Sequence, residues 1–132
     1  MIRPGAAADL AAVQAIQDAA PEAAQWPVAD YLAHSFAVAE MDGAVAGFAV
    51  WRSVAEGEWE LLNLAVDPQW RRRGVGNALV SALPAGRVFL EVRESNPAAL
   101  ALYGNNGFTV CGRRRRYYQS PVEDGIVMEM QK

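Results

Sequence analysis

Three residue types are almost missing from this 132-residue chain, and each scarcity closes off a chemistry. One cysteine, Cys111, allows no internal disulfide framework and no cysteine-based metal cluster. One histidine, His34, leaves no histidine-rich zinc or iron site and no second imidazole to share acid–base work. Lysine appears once, as Lys132, so eleven of the twelve cationic side chains are arginines. No apolar run approaches the roughly 18 residues that a membrane span needs. Met1-Ile2-Arg3-Pro4 does not open an apolar leader. The expectation is one reduced, cytoplasmic domain over residues 1–132, with no membrane partner and no metal.

What is present is more pointed. Hydrophobic residues make up 52% of the chain, enough for a core, and charged residues only 20%. The net charge of −3 conceals a split. Residues 1–70 carry ten carboxylates against Arg3 and Arg52, a net of −8, whereas residues 71–132 carry ten cations against five carboxylates, a net of +5. An anionic ligand would suit the second half and a cationic one the first.

The pattern predicts mixed α/β structure. Apolar residues at Leu10, Val13, Ala15, Ile16 and Ala20 predict a helix over 8–20, closed by Pro21. A loop with Trp26 follows, then a short helix to about His34. Two apolar runs, 35–40 and 45–51, flank Asp42-Gly43 and predict a hairpin, and a third over 59–66 completes a meander. A helix over 74–83 and a strand over 87–92 follow, and this strand–helix–strand unit requires parallel strands at 59–66 and 87–92. Asn96-Pro97 opens another helix, ended by Gly107. Strands over 108–111 and 126–130 finish the chain, separated by an Arg-Tyr-rich segment.

The densest chemical signal is Val66-Asp67-Pro68-Gln69-Trp70-Arg71-Arg72-Arg73-Gly74-Val75-Gly76-Asn77. A strand ends, arginines follow, and glycines open a helix whose free N–H groups attract phosphate. It is neither the dinucleotide fingerprint, because Leu79 stands at the third glycine position, nor a Walker A loop. Together with Leu90-Glu91-Val92-Arg93-Glu94-Ser95-Asn96, Ala99-Leu100-Ala101-Leu102-Tyr103 and Gly107-Phe108, it resembles the GNAT superfamily of acyl-CoA-dependent N-acetyltransferases. Arg115-Arg116-Tyr117-Tyr118 and Glu123-Asp124-Gly125-Ile126-Val127-Met128 resemble the RimI-like subfamily, the ribosomal-protein alanine N-acetyltransferases.

That resemblance implies a single GNAT-type domain, α/β (α+β), with a mostly antiparallel mixed sheet of six or seven strands and helices on both faces. It implies acetyl-CoA as co-substrate. The backbone of Leu64, Ala65 and Val66 would hold the pantetheine arm, and the phosphates would rest on Arg71, Arg72, Arg73, Gly74, Val75, Gly76 and Asn77. Glu91 matches the general base and Tyr103 the general acid. Asn96 matches a cofactor-contacting residue, although an N-cap role suits it equally. Trp26, Tyr31, Tyr117 and Tyr118 are the candidate substrate contacts. Trp26 and Tyr31 could instead anchor in the core, and of two adjacent tyrosines on a strand one could simply pack.

The acceptor implied is the N-terminus of a basic, ribosomal protein. The alternatives are a small-molecule amine or another protein as acceptor, or an acyl-CoA-binding module without catalysis. Arg113 to Arg116 reads as a solvated strand end, and no nucleic-acid partner is expected. His34 reads as a surface imidazole and Cys111 as a small buried thiol. Two departures from the family stand out: a short link over 83–87, and a first 35 residues without a match.

Overall fold

The computed structural model describes residues 1–119 and 121–132. Seven strands form one sheet in the order β1-β2-β3-β4-β5-β7-β6. In chain order they are β1 (Ile2–Pro4), β2 (Ser35–Met41), β3 (Ala44–Ala55), β4 (Glu58–Val66), β5 (Arg87–Arg93), β6 (Thr109–Tyr118) and β7 (Glu123–Gln131). Three α-helices, α1 (Leu10–Asp18), α2 (Val75–Ser81) and α3 (Pro97–Asn105), and three short 3-10 turns complete the elements. The expected strand–helix–strand unit is present: Glu58, Trp59 and Glu60 pair in parallel with Arg87, Val88 and Phe89. No helix among the described residues is long and apolar enough to cross a membrane.

The contacts group into two compact units, residues 1–52 with 61–83 and residues 53–60 with 84–132. In the first, Val13 and Ile16 of α1 pack with Tyr31, Phe36, Val38, Phe48, Val50 and Ala65. The valine, isoleucine and phenylalanine side chains among them each contribute about 1.5–3 kcal/mol on burial. That outweighs exposed ion pairs such as Arg71–Glu22 (3.6 Å), worth at most about 1 kcal/mol. The β2–β3 hairpin turns through Asp42-Gly43, with Met41 opposite Ala44, as the sequence predicts. β1 was not foreseen. Its three residues are too few for a periodicity, and Arg3 fastens it by binding Asp9 at 2.9 Å and Glu40 at 2.6 Å.

In the second unit β5 lies between β4 and β7, and Val88, Leu90 and Val92 point inward. Asn96 caps α3 by accepting from the Ala99 N–H at 3.1 Å, with Pro97 behind it. Two expectations need correction here. The Arg-Tyr-rich segment is no connection: β6 runs through it to Tyr118. Cys111 is exposed rather than buried, because β6 is the sheet's last strand and shows most of its residues to solvent. Arginines on such an edge discourage pairing with other chains.

Candidate active site

The first unit carries the loop expected to meet phosphates. The Asp67 side chain accepts from the Gln69 N–H at 2.9 Å and starts a 3-10 turn over Pro68–Trp70. The chain then passes through left-handed backbone at Arg72 (φ 65°) and Gly74 (φ 78°) before α2 begins. Glycine takes that conformation at little cost. As the N-cap of α2, Gly74 has no side chain with which to cap the first turn. Arg71 faces Glu22, and the Arg73 guanidinium stacks 5.1 Å from the Trp70 ring. Upstream, the Leu64 N–H is already engaged by Oδ1 of its neighbour Asn63, at 3.0 Å.

The second unit gathers the titratable groups. Glu91 on β5 stands opposite Val127 of β7. Its side chain is only 18% exposed, and Oε1 is buried with no hydrogen-bond donor among the described residues. Arg114 Nε lies 2.9 Å from that oxygen, which brings the two charges together without directing an N–H at it. Burial pushes the Glu91 carboxyl above its ordinary range, while the Arg114 charge and the Tyr117 hydroxyl work against the rise. A carboxyl so raised is a better proton acceptor than a solvated one.

Room for this group comes from Gly125, which faces Arg93 of β5 and Arg114 of β6 in the strand registers. A Cβ at 125 would sit 3.2 Å from Glu91 Cγ and 3.4 Å from Tyr117 Cδ2. In the sequence Asp124-Gly125 looks like a turn, so this role left no legible mark.

The two tyrosines depart from strand alternation. Adjacent strand residues should face opposite sides, yet the Tyr117 and Tyr118 rings meet edge-on at 5.1 Å. The cause is a register shift between Arg114 and Tyr118, with Arg116 in the left-handed region at φ 51°. Arg114 lies over the Tyr117 ring at 5.0 Å and Arg93 over Tyr118 at 4.4 Å. Burial, reinforced by the Glu91 charge, pushes the Tyr118 phenol up to about 12. The structure therefore assembles Glu91, Arg114, Tyr117 and Tyr118 into one cluster.

Other candidates are placed differently. Tyr103 is buried on α3 against Phe108, with ring centres 5.4 Å apart, and burial raises its phenol well above the ordinary value. Asn96 spends its side-chain oxygen on the helix cap. Trp26 is 47% exposed and available to a ligand. Tyr31, expected as a substrate contact, is 2% exposed, packs against Phe36 and Phe48 and bonds to Gln17, so it is a core residue. Arg113 is held by Asp124 (2.8 Å) and Glu94 (3.0 Å), which accounts for part of the arginine run by internal pairing.

The sheet order, with one parallel pair in an otherwise antiparallel sheet, is that of an acyltransferase-type fold. The acetyltransferase (GNAT) domain matches residues 33–110, and the chain belongs to that family. It is 40% identical over 98 residues to the [ribosomal protein bS18]-alanine N-acetyltransferase of Escherichia coli, an alignment covering 67% of this chain and 66% of that protein. The crystal structure of the ribosomal-protein-S18-alanine N-acetyltransferase from Escherichia coli matches with a TM-score of 0.83 and 32% identity, over 98% of this chain and 92% of that one. Ard1 from Thermoplasma volcanium matches with a TM-score of 0.86 and 30% identity, over 98% and 95%.

Proposed function

We propose that the chain transfers an acetyl group from acetyl-CoA to the α-amine of an N-terminal alanine, the acceptor being a basic ribosomal protein of the bS18 kind. The observation that carries this reading is Glu91. It is a half-buried carboxylate, paired with Arg114 and beside Tyr117 and Tyr118, in a chain 40% identical to a bS18-alanine N-acetyltransferase. An N-terminal ammonium has an ordinary pKa near 8 and must lose a proton before it can attack. Glu91, raised by burial, takes that proton directly or through a water.

Acetyl-CoA supplies the activated acyl group. The helix start at Gly74, Val75, Gly76 and Asn77, with Arg71 to Arg73, suits its phosphates because a glycine N-cap lets an anion approach the backbone closely. The backbone of Leu64 to Val66 suits its extended arm. The Val66 N–H, at the end of that strand, is the donor this reading assigns to the thioester carbonyl. The amine nitrogen bonds to the carbonyl carbon, the carbon–sulfur bond breaks, and the sulfur leaves as thiolate. Tyr103, kept protonated by burial, serves as the donor to that sulfur. A phenol raised so far is a weak acid, so Tyr103 first stabilises the thiolate by a hydrogen bond. The attacking nitrogen gives its second proton to water as the adduct collapses, the thiolate takes the Tyr103 proton, and the phenol regains one from water, leaving a neutral amide and a free thiol.

The reading is tested by offering acetyl-CoA with peptides carrying an N-terminal alanine, matched to the start of bS18, against a panel of small amines. Acetylated peptide is expected; turnover of the amines alone would replace the peptide acceptor with a small one.

A further inference from the structure

Three polar side chains sit inside the apolar core of the first unit and touch none of the acid–base groups above. Gln17 of α1 is 2% exposed, Tyr31 2% and Asn63 of β4 6%. They bond to one another: the Tyr31 hydroxyl donates to Gln17 Oε1, and Asn63 Nδ2 reaches Tyr31 Oη at 3.0 Å and Gln17 Oε1 at 3.2 Å. They also bond outward to backbone. Asn63 Nδ2 donates to the Ala24 carbonyl at 2.9 Å, and Gln17 Nε2 donates to the Trp26 carbonyl at 2.7 Å. Asn63 Oδ1 accepts from the Leu64 N–H.

From this juxtaposition we infer that Asn63 is a positioning residue. It ties the loop over 22–27 to the acyl-holding end of β4, so that the acceptor's docking loop and the thioester's strand are set as one piece. The inference rests on the acetyltransferase reading and deepens it. A core needs no such polar trio for packing, and buried polar groups are tolerated only when bonded. What this trio bonds to is loop backbone in an otherwise irregular segment. The result is a fixed main chain at Ala24 and Trp26 beneath an exposed indole at Trp26. Gln25 strengthens the clamp by donating to the carbonyls of Ala20 (3.0 Å) and Ala23 (3.1 Å). Glu22 links the same loop to Arg71.

The test compares Asn63→Leu, Asn63→Asp and Tyr31→Phe with the wild-type chain. Asn63→Asp keeps an acceptor for the Leu64 N–H and loses the donor to Ala24, which separates the loop tie from the strand tie. In steady-state kinetics with acetyl-CoA and an N-terminal-alanine peptide, peptide KM is expected to rise about tenfold or more in both Asn63 variants. The acetyl-CoA Kd by calorimetry should change less than about threefold. Hydrogen exchange of the amides over 22–27 should quicken while those of α1 hold. Unchanged peptide KM, or a fall in kcat alone, would overturn the proposal. Tyr31→Phe keeps the ring, removes only the hydroxyl, and carries the same expectations in smaller measure should the Asn63 variants fail to fold. A wild-type chain inactive on every peptide would sink the peptide-acceptor reading on which the kinetic test rests. Exchange of the loop would still decide whether Asn63 holds it.

Discussion

Replacing Arg114 with Met isolates the electrostatic setting of Glu91, because Met keeps an apolar stem over the Tyr117 ring and removes the charge. Arg114 Nε and Glu91 Oε1 are 2.9 Å apart. Two unit charges about 4 Å apart interact by about 1 kcal/mol in water and about 4 kcal/mol at an effective dielectric constant of 20. The Arg114 side chain is 60% exposed, so solvent holds the value near the lower figure. About 1 kcal/mol is about a fivefold change in the ratio of carboxylate to carboxylic acid. The sign follows from the opposing effects at Glu91. Burial raises the carboxyl and Arg114 pulls it down, so removing Arg114 raises it further. A base must be ionised to act. On the acidic limb of the kcat/KM profile the variant should therefore fall about fivefold below wild type. At the alkaline plateau the two should coincide. The assay is initial rate against pH at fixed ionic strength. A uniform loss across all pH values would refute the reasoning and make Arg114 a substrate contact. A limb displaced toward lower pH would refute it outright.

Other consequences can be checked alongside. Glu91→Gln and Tyr103→Phe should each lower kcat by about 10²- to 10⁴-fold while acetyl-CoA still binds by calorimetry. Wild-type rates in both would remove the acid–base assignment. Gly76→Asp places a carboxylate at the helix start proposed for the phosphates, and should abolish acetyl-CoA binding; an unchanged Kd would reject that loop. Arg116→Asn puts a residue tolerant of the left-handed region where Arg116 sits at φ 51°. It should stabilise the chain by about 0.5–1 kcal/mol, raising Tm by roughly 2–5 °C. A lower Tm would show that the arginine side chain matters more than its strained backbone.

Much of this could be read from residue patterns, and what could not has physical reasons. Asp42-Gly43 dictated its hairpin because a two-residue turn demands those conformations. The β4–α2–β5 crossover followed from chain handedness and Asn96-Pro97 from capping. The Tyr117–Tyr118 contact was hidden because one left-handed residue, Arg116, cancels strand alternation, and nothing about an arginine advertises that conformation. Asn63 and the polar partners of Tyr31, whose core role was one of its two readings, were hidden for the opposite reason. Burial of polar side chains depends on partners far apart in sequence, here Gln17 and the carbonyl of Ala24. The acidic first half also looks different in three dimensions, since Asp9 and Glu40 are both spent on Arg3.

One measurement bears most directly on the whole account: mass spectrometry of an N-terminal-alanine peptide, matched to the start of bS18, after incubation with the chain and acetyl-CoA. The account predicts a single acetyl group on the α-amine, formed by the wild-type chain and largely lost with Glu91→Gln. Acetyl groups on lysine side chains alone, or equal product from the Glu91→Gln variant, would contradict it.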